Sequence, residues 1–308
     1  MHLNATVAAF EFLNQNLDKF TPWRPNGLSV QGMQALAELT LAQDVLASVP
    51  ELVSHLEKAG CDVHSWERHT REQLRDPALR ELPRKRPLCA FPYLLPYLIQ
   101  RRRGWHEAYW EETVGWLMTQ GLPYGAEALP YRRLDVAYFL NAAGLDPCIV
   151  GGSFPLGNPL QLYRETFAAR ERNPISVDVD AAYAITHTLF YLSDFGRVRP
   201  RLPDEDVDRL QALLVSLTLH AWRTGHLDLL AELLFCVRVV GSSDPIVAIA
   251  ERYFDGVRAA TGHVPATSER FEWLVNQSTK SEEVFATCYH TTLVALLLDA
   301  QRLRGTRS

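Results

Sequence analysis

Several kinds of segment are missing from this 308-residue chain, and each absence narrows what it does. No window approaches the roughly 18 uncharged apolar residues that a membrane-spanning helix needs. The strongest apolar run, LQALLVSLTLHAW (210–222), is shorter than that and carries a histidine. The first residues, MHLNATVAAFEFLNQNLDKF, place no basic stretch ahead of a long apolar one, so no secretory signal is expected. The five cysteines (61, 89, 148, 236 and 288) are odd in number, far apart and without a CxxC pair. That excludes a disulfide framework and predicts reduced thiols in the cytoplasm. A net charge of −5, spread along the chain, leaves no basic face for nucleic acid. Lysine is nearly absent, at 4 of 31 basic residues; the arginine excess reads as GC-rich coding and says nothing about mechanism. The expected partners are a small-molecule or peptide substrate, with room for a protein partner, and neither membrane nor nucleic acid.

Motifs for common chemistries are missing too. There is no G-x-S-x-G elbow, no HExxH, no GxGxxG and no GxxxxGK[ST] phosphate loop. Strand-type alternation is almost absent. What remains is helical period. SVQGMQALAELTLAQDVLASV runs from Ser29 to the residue before Pro50, as a capped helix should. PDEDVDRLQALLVSLTLHAWRTG has acids in its first turn and bases near its end, matching the helix dipole. SDP and TSE mark further helix starts. LLAELLFCVRVV (229–240) is almost wholly apolar and suits an inner helix.

Residues 66–87 are polar and hold three prolines. Their first part reads as helix and their end, with Arg84, Lys85 and Arg86, as a solvated linker. The expected organisation is an N-terminal helical segment and linker over 1–87, then a helical-repeat core over 88–308, unless the two run on as one domain. Asp135-Val-Ala-Tyr138 recurs as Asp180-Ala-Ala-Tyr183 after 45 residues, and helices stop at Gly144, Gly196 and Gly241. A helix-pair repeat predicts an all-α fold of paired hairpins closed into an α/α toroid, with an irregular helical bundle or an open solenoid as alternatives. The Gly/Pro-rich stretch 144–159 is long enough to read as a functional loop.

Two stretches carry candidate chemistry. DVDAAYAITHTLFYLSDFG (178–196) sets Tyr183, His187, Tyr191 and Asp194 along one helix side. An imidazole titrates near neutrality and serves as acid or base. Asp194 would orient an imidazole or hold a cation, and Tyr183 and Tyr191 would position substrate. The bland alternative is a hydrogen-bonded core stripe, with Asp194 as a turn residue before the Gly196 stop. CYHTTLVALLL (288–298) repeats the His-Thr pattern, with His290 and Thr291 as counterparts. Arg101 to Arg103, among Trp105, Tyr109, Trp110 and Trp116, read as solvated beside packed aromatics. His220 reads as packing, His226 as a helix cap, and Arg132 and Arg133 as able to reach a pocket mouth.

The Tyr289-His290-Thr291 segment resembles the YHT helix of protein prenyltransferase β-subunits, a family of α/α toroids. The resemblance covers about ten residues and implies a zinc-ligand role for His290, with Cys288 nearby. The Asp-x-Cys pair and Gly-Gly-Phe turns of that family are absent, as is the Cys-His-Gly motif of lanthionine cyclases. THTLFYLSDFG and CYHTTLV also resemble uncharacterised all-helical actinobacterial proteins, some encoded near natural-product genes. The sequence reading is therefore a cofactor-free tailoring enzyme for a peptide-like or apolar natural product. It would work by acid–base isomerisation, epimerisation, cyclisation or elimination through His187, His290 and Asp194. Tyr183, Tyr191 and Thr291 would bind substrate. A non-catalytic helical scaffold is the alternative, and a zinc-dependent transferase through His290 and Cys288 the third reading.

Overall fold

The computed structural model describes residues 3–120, 129–145, 159–274 and 276–305. Most of the 144–159 stretch, with Cys148, lies outside these residues. The protein is all-α, as its periodicity predicts, with sixteen α-helices among the described residues. In chain order they are α1 (Leu3–Gln15), α2 (Val30–Ala47), α3 (Pro50–Lys58), α4 (Ser65–Leu74), α5 (Pro77–Lys85), α6 (Phe91–Arg102), α7 (Ala108–Thr119) and α8 (Pro130–Ala142). They continue with α9 (Pro159–Glu165), α10 (Phe167–Arg170), α11 (Val179–Leu192), α12 (Asp204–Arg223), α13 (Leu227–Val239), α14 (Pro245–Thr261), α15 (Phe271–Leu274) and α16 (Glu282–Gly305). The described strands are a two-residue hairpin, β1 (Trp23–Arg24) against β2 (Gly27–Leu28).

The helices fall into two packed units. One comprises Met1–Lys19, Val45–Val63 and Phe167–Ser308; the other comprises Phe20–Asp44 and His64–Thr166. This division cuts the chain at other points than the expected boundary at residue 87, because α1 packs on α14 and α16 at the far end of the sequence. In the first unit α13 is central, touching α11, α12, α14 and α16. Every residue of α13 except Arg238 is buried, as its apolar sequence predicts. Sequestering each of its leucines contributes about 1.5–3 kcal/mol. Local signals set the surrounding helix ends. Asp178 caps α11 by accepting from the Ala181 amide at 2.8 Å, and Asp244 caps α14 through the Ile246 amide at 2.9 Å. The acids of α12 stand at its start and Arg223 at its end.

Buried charge ties this unit together. Asp299 of α16 accepts from Thr6 of α1 at 2.7 Å and from Arg258 of α14 at 2.6 Å. Arg302 extends the network to Asp255 at 2.8 Å, and Arg238 of α13 pairs with Glu251. The repeated tetrapeptides do not occupy like positions: Asp135 is buried, and Asp180 is exposed at the start of α11.

In the second unit, α5 packs on α4, α6 and α7, and α6 packs on α8. The expected linker is helix. Asp76 caps α5 through the Ala78 and Leu79 amides at 2.7 and 3.0 Å, and Pro77 occupies the first turn, where a missing N–H costs nothing. Pro83 lies inside the same helix. Tyr97 stacks on the fully buried Trp110 with ring centroids 5.5 Å apart, whereas Trp116 is 39% exposed rather than packed. Arg101, Arg102 and Arg103 are not solvated. They pair with Glu111, Asp44 and Glu67. Arg132 and Arg133 are likewise held, by Asp135 at 3.4 Å and Glu165 at 3.0 Å.

Candidate functional site

Helix α13 begins at a left-handed Gly225 (φ 68°) followed by His226, whose Nδ1 accepts from the Leu229 amide at 3.3 Å. This is the capping role its position predicts. His220, by contrast, is exposed rather than packed. Within the otherwise apolar α13 stand two acids, Asp228 at 5% exposure and Glu232 at 1%. Four residues apart, they share one face. Asp228 also lies in the first turn, where the helix dipole favours a carboxylate.

Two flanking helices serve that face. From α11 the Tyr183 hydroxyl donates to Asp228 Oδ2 at 2.5 Å, and the Thr186 hydroxyl donates to Glu232 Oε2 at 2.5 Å. From α16 the Thr291 hydroxyl donates to Asp228 Oδ1 at 2.8 Å. The imidazoles complete the shell. His187 Nε2 lies 3.7 Å from Glu232 Oε1, and His290 Nε2 lies 3.5 Å from the same oxygen and 3.6 Å from Asp228 Oδ2. The two Nε2 atoms can thus be no farther apart than the sum of their distances to that shared oxygen. The His187 and His290 side chains keep 27% and 32% exposure. Solvent reaches the centre from the imidazole side while the carboxylates stay inside.

Burial alone would raise the Glu232 carboxyl, but the His187 and His290 imidazoles outweigh it and hold the group well below the usual carboxylate range. Burial, then Asp228 and Glu232, push the Tyr183 hydroxyl far above an ordinary phenol, so it remains a donor. Among the described residues no lysine or arginine touches either acid. Asp228, Glu232 and His290 each offer one ligand atom, and these atoms all lie within 4.8 Å of one another. The arrangement suits proton transfer or the holding of a cation.

The structure brings His187, His290, Tyr183 and Thr291 of the expected site to one centre. Thr291 is buried and orients Asp228 instead of facing a substrate. Tyr191 lies against the His187 ring, with centroids 6.2 Å apart. Asp194 stands beyond the end of α11 with a left-handed backbone (φ 48°), and its carboxylate pairs with Arg197 at 3.1 Å. That is the turn role, set by the α11 stop. Cys288 is not in the metal-ligand set that includes His290; burial pushes its thiol up to about 12. Cys236 is fully buried and its thiol is likewise pushed up, first by burial and then by Glu232. Both thiols therefore stay protonated. The residues that sequence reasoning missed are Asp228, Glu232 and Thr186. The available signal was two acids four apart in a run otherwise fit for a core, since such acids require partners.

A family model described as "Domain of unknown function (DUF6895)" matches residues 6–300, nearly the whole chain. No curated protein and no solved structure matches it.

Proposed function

We propose that this chain, which belongs to the DUF6895 family, is an enzyme that moves protons on a peptide-like or apolar natural product, by isomerisation, epimerisation, cyclisation or elimination. The observation that carries this reading is the pair of half-exposed imidazoles, from separate helices, on one oxygen of a buried carboxylate. Glu232 fixes the orientation of both rings, and each ring keeps an open side. His187 is the principal acid or base, a role worth about 10²–10⁴ in rate. The substrate class is supported by the rings around the imidazoles: Tyr183, Phe190 and Tyr191 beside His187, and Tyr289 beside His290. Among the described residues, no helix is long and apolar enough to cross a membrane.

Mass-spectrometric profiling of small molecules in a cell extract, incubated with wild type or with His187→Gln, tests the reading. The expected result is at least one compound consumed by wild type and spared by a variant of unchanged stability. A scaffold that uses His187 only as a core hydrogen-bonder predicts identical profiles and a less stable variant, and that outcome would overturn the enzyme.

A further inference from the structure

We infer that Asp228, Glu232 and His290 bind one divalent transition-metal cation, with His187 left beside it as the proton carrier. This deepens the proposed function and rests on it for the role of His187, but not for the binding of metal. It also moves His290 from acid–base partner to ligand.

The first argument is charge. Two carboxylates are buried on the central helix with no guanidinium or ammonium touching them among the described residues. Burying a carboxylate without a compensating charge is too costly to persist. A dication balances both at once.

The second argument is geometry. His290 Nε2 stands 3.5 Å from Glu232 Oε1 and 3.6 Å from Asp228 Oδ2, and all three ligand atoms are within 4.8 Å of each other. A tetrahedral cation bound at about 2.1 Å holds its ligands about 3.4 Å apart. His290 Nε2 already stands close to that spacing from both carboxylate oxygens. His187 approaches Oε1 at 3.7 Å but lies outside the mutually close set.

The third argument is what the hydroxyls do. Thr186 occupies Glu232 Oε2 and Thr291 occupies Asp228 Oδ1. Each acid therefore turns its other oxygen toward His290. Outer partners that aim ligands in this way are the usual support of a metal centre. Asp228 Oδ2 also accepts from Tyr183, and a carboxylate oxygen has a second lone pair for a cation. A donor set of one imidazole and two carboxylates favours Zn²⁺ or Mn²⁺ over Mg²⁺, which prefers oxygen and water alone. Three protein ligands leave open positions for water or substrate, as in a catalytic rather than a structural site.

The test is equilibrium dialysis of the chelator-stripped full chain against Zn²⁺, Mn²⁺ and Mg²⁺, with the visible spectrum of the Co²⁺ form as a geometric signature. One Zn²⁺ or Mn²⁺ per chain is expected, with Mg²⁺ much weaker. Glu232→Gln and His290→Gln should each lose at least about 100-fold in affinity while retaining the helical circular dichroism of wild type. His187→Gln should bind within a few-fold of wild type. No stoichiometric metal, or equal affinity in Glu232→Gln, overturns the site. Equal loss in His187→Gln overturns the assignment of that histidine as a non-ligand. Because the dialysis needs no substrate, a negative result here leaves the extract experiment to decide the enzyme on its own terms.

Discussion

Asp299 and Glu232 lie in the same packed unit and are equally hidden, at 1% exposure each, but they are served by opposite means. Asp299 has fixed cations, the buried Arg258 at 2.6 Å and Arg302 at 3.6 Å, plus the Thr6 hydroxyl. It joins three helices. Glu232 has a threonine hydroxyl and two imidazoles that open to solvent. No arginine or lysine reaches it among the described residues. A carboxylate needed only for cohesion is matched by a permanent charge. A carboxylate served by a hydroxyl and two partly exposed imidazoles meets solvent through those rings.

Four substitutions test that contrast, and the largest effect belongs to the fixed pair. Arg258→Met leaves Asp299 only the longer ion pair to Arg302 at 3.6 Å and the Thr6 hydroxyl, and should cost about 3 kcal/mol in urea unfolding. A loss below about 1 kcal/mol would dissolve the contrast. Thr186→Val should come next, because it leaves Glu232 Oε2 buried without a donor, at about 1–3 kcal/mol. It should also weaken the proposed metal by about tenfold, read by the same dialysis. Glu232→Gln should move stability least of the three. In metal-free protein near pH 8, its melting temperature should fall modestly, because the folded chain favours the ionised form of this carboxyl and the neutral amide gives that up.

The smallest effect concerns a third buried ionisable group, His263, which stacks on Phe12 at 4.5 Å and has no carboxylate among its described contacts. Burial holds its pKa below the ordinary 6.5, against a hydrogen bond to the Thr261 carbonyl that pulls the other way. Above pH 6.5 folded and unfolded chains both carry it neutral. As pH falls below that value, the unfolded chain takes a proton that the folded one resists, so stability drops. His263→Gln should flatten this slope between about pH 6.5 and the lowered folded value, read as melting temperature against pH. An unchanged slope would show that the acid sensitivity lies elsewhere, with the imidazoles of the site as the next groups to vary.

Much of the frame was legible because its causes are local. The apolar run 229–240 announced a helix buried all round, and Asp244-Pro245 and His226 announced helix starts within three residues of themselves. The site was half legible. A histidine in each of two similar Thr-rich segments could be singled out, but Tyr183, Thr186 and Thr291 find their acids 45, 46 and 63 residues away. Helical period does not report such distances. It also disguised Asp228 and Glu232, because an acid in an apolar run is read as a minor exception rather than as one of a pair. The end of residues 66–87 was misjudged for a related reason. Prolines were counted as breakers, although Pro77 sits where a helix accepts one. Arg101 to Arg103 looked solvated because their carboxylates come from other helices or later turns.

The central place of α13 has a consequence for time as well as space. Its amides sit under four other helices, so they can exchange with heavy water only when the whole unit opens. Asp228 and Glu232 are carried on this buried helix. His187 and His290 ride on its neighbours with one side in water. A ligand of the kind proposed would meet two acids held on a buried helix and two rings at its solvent edge.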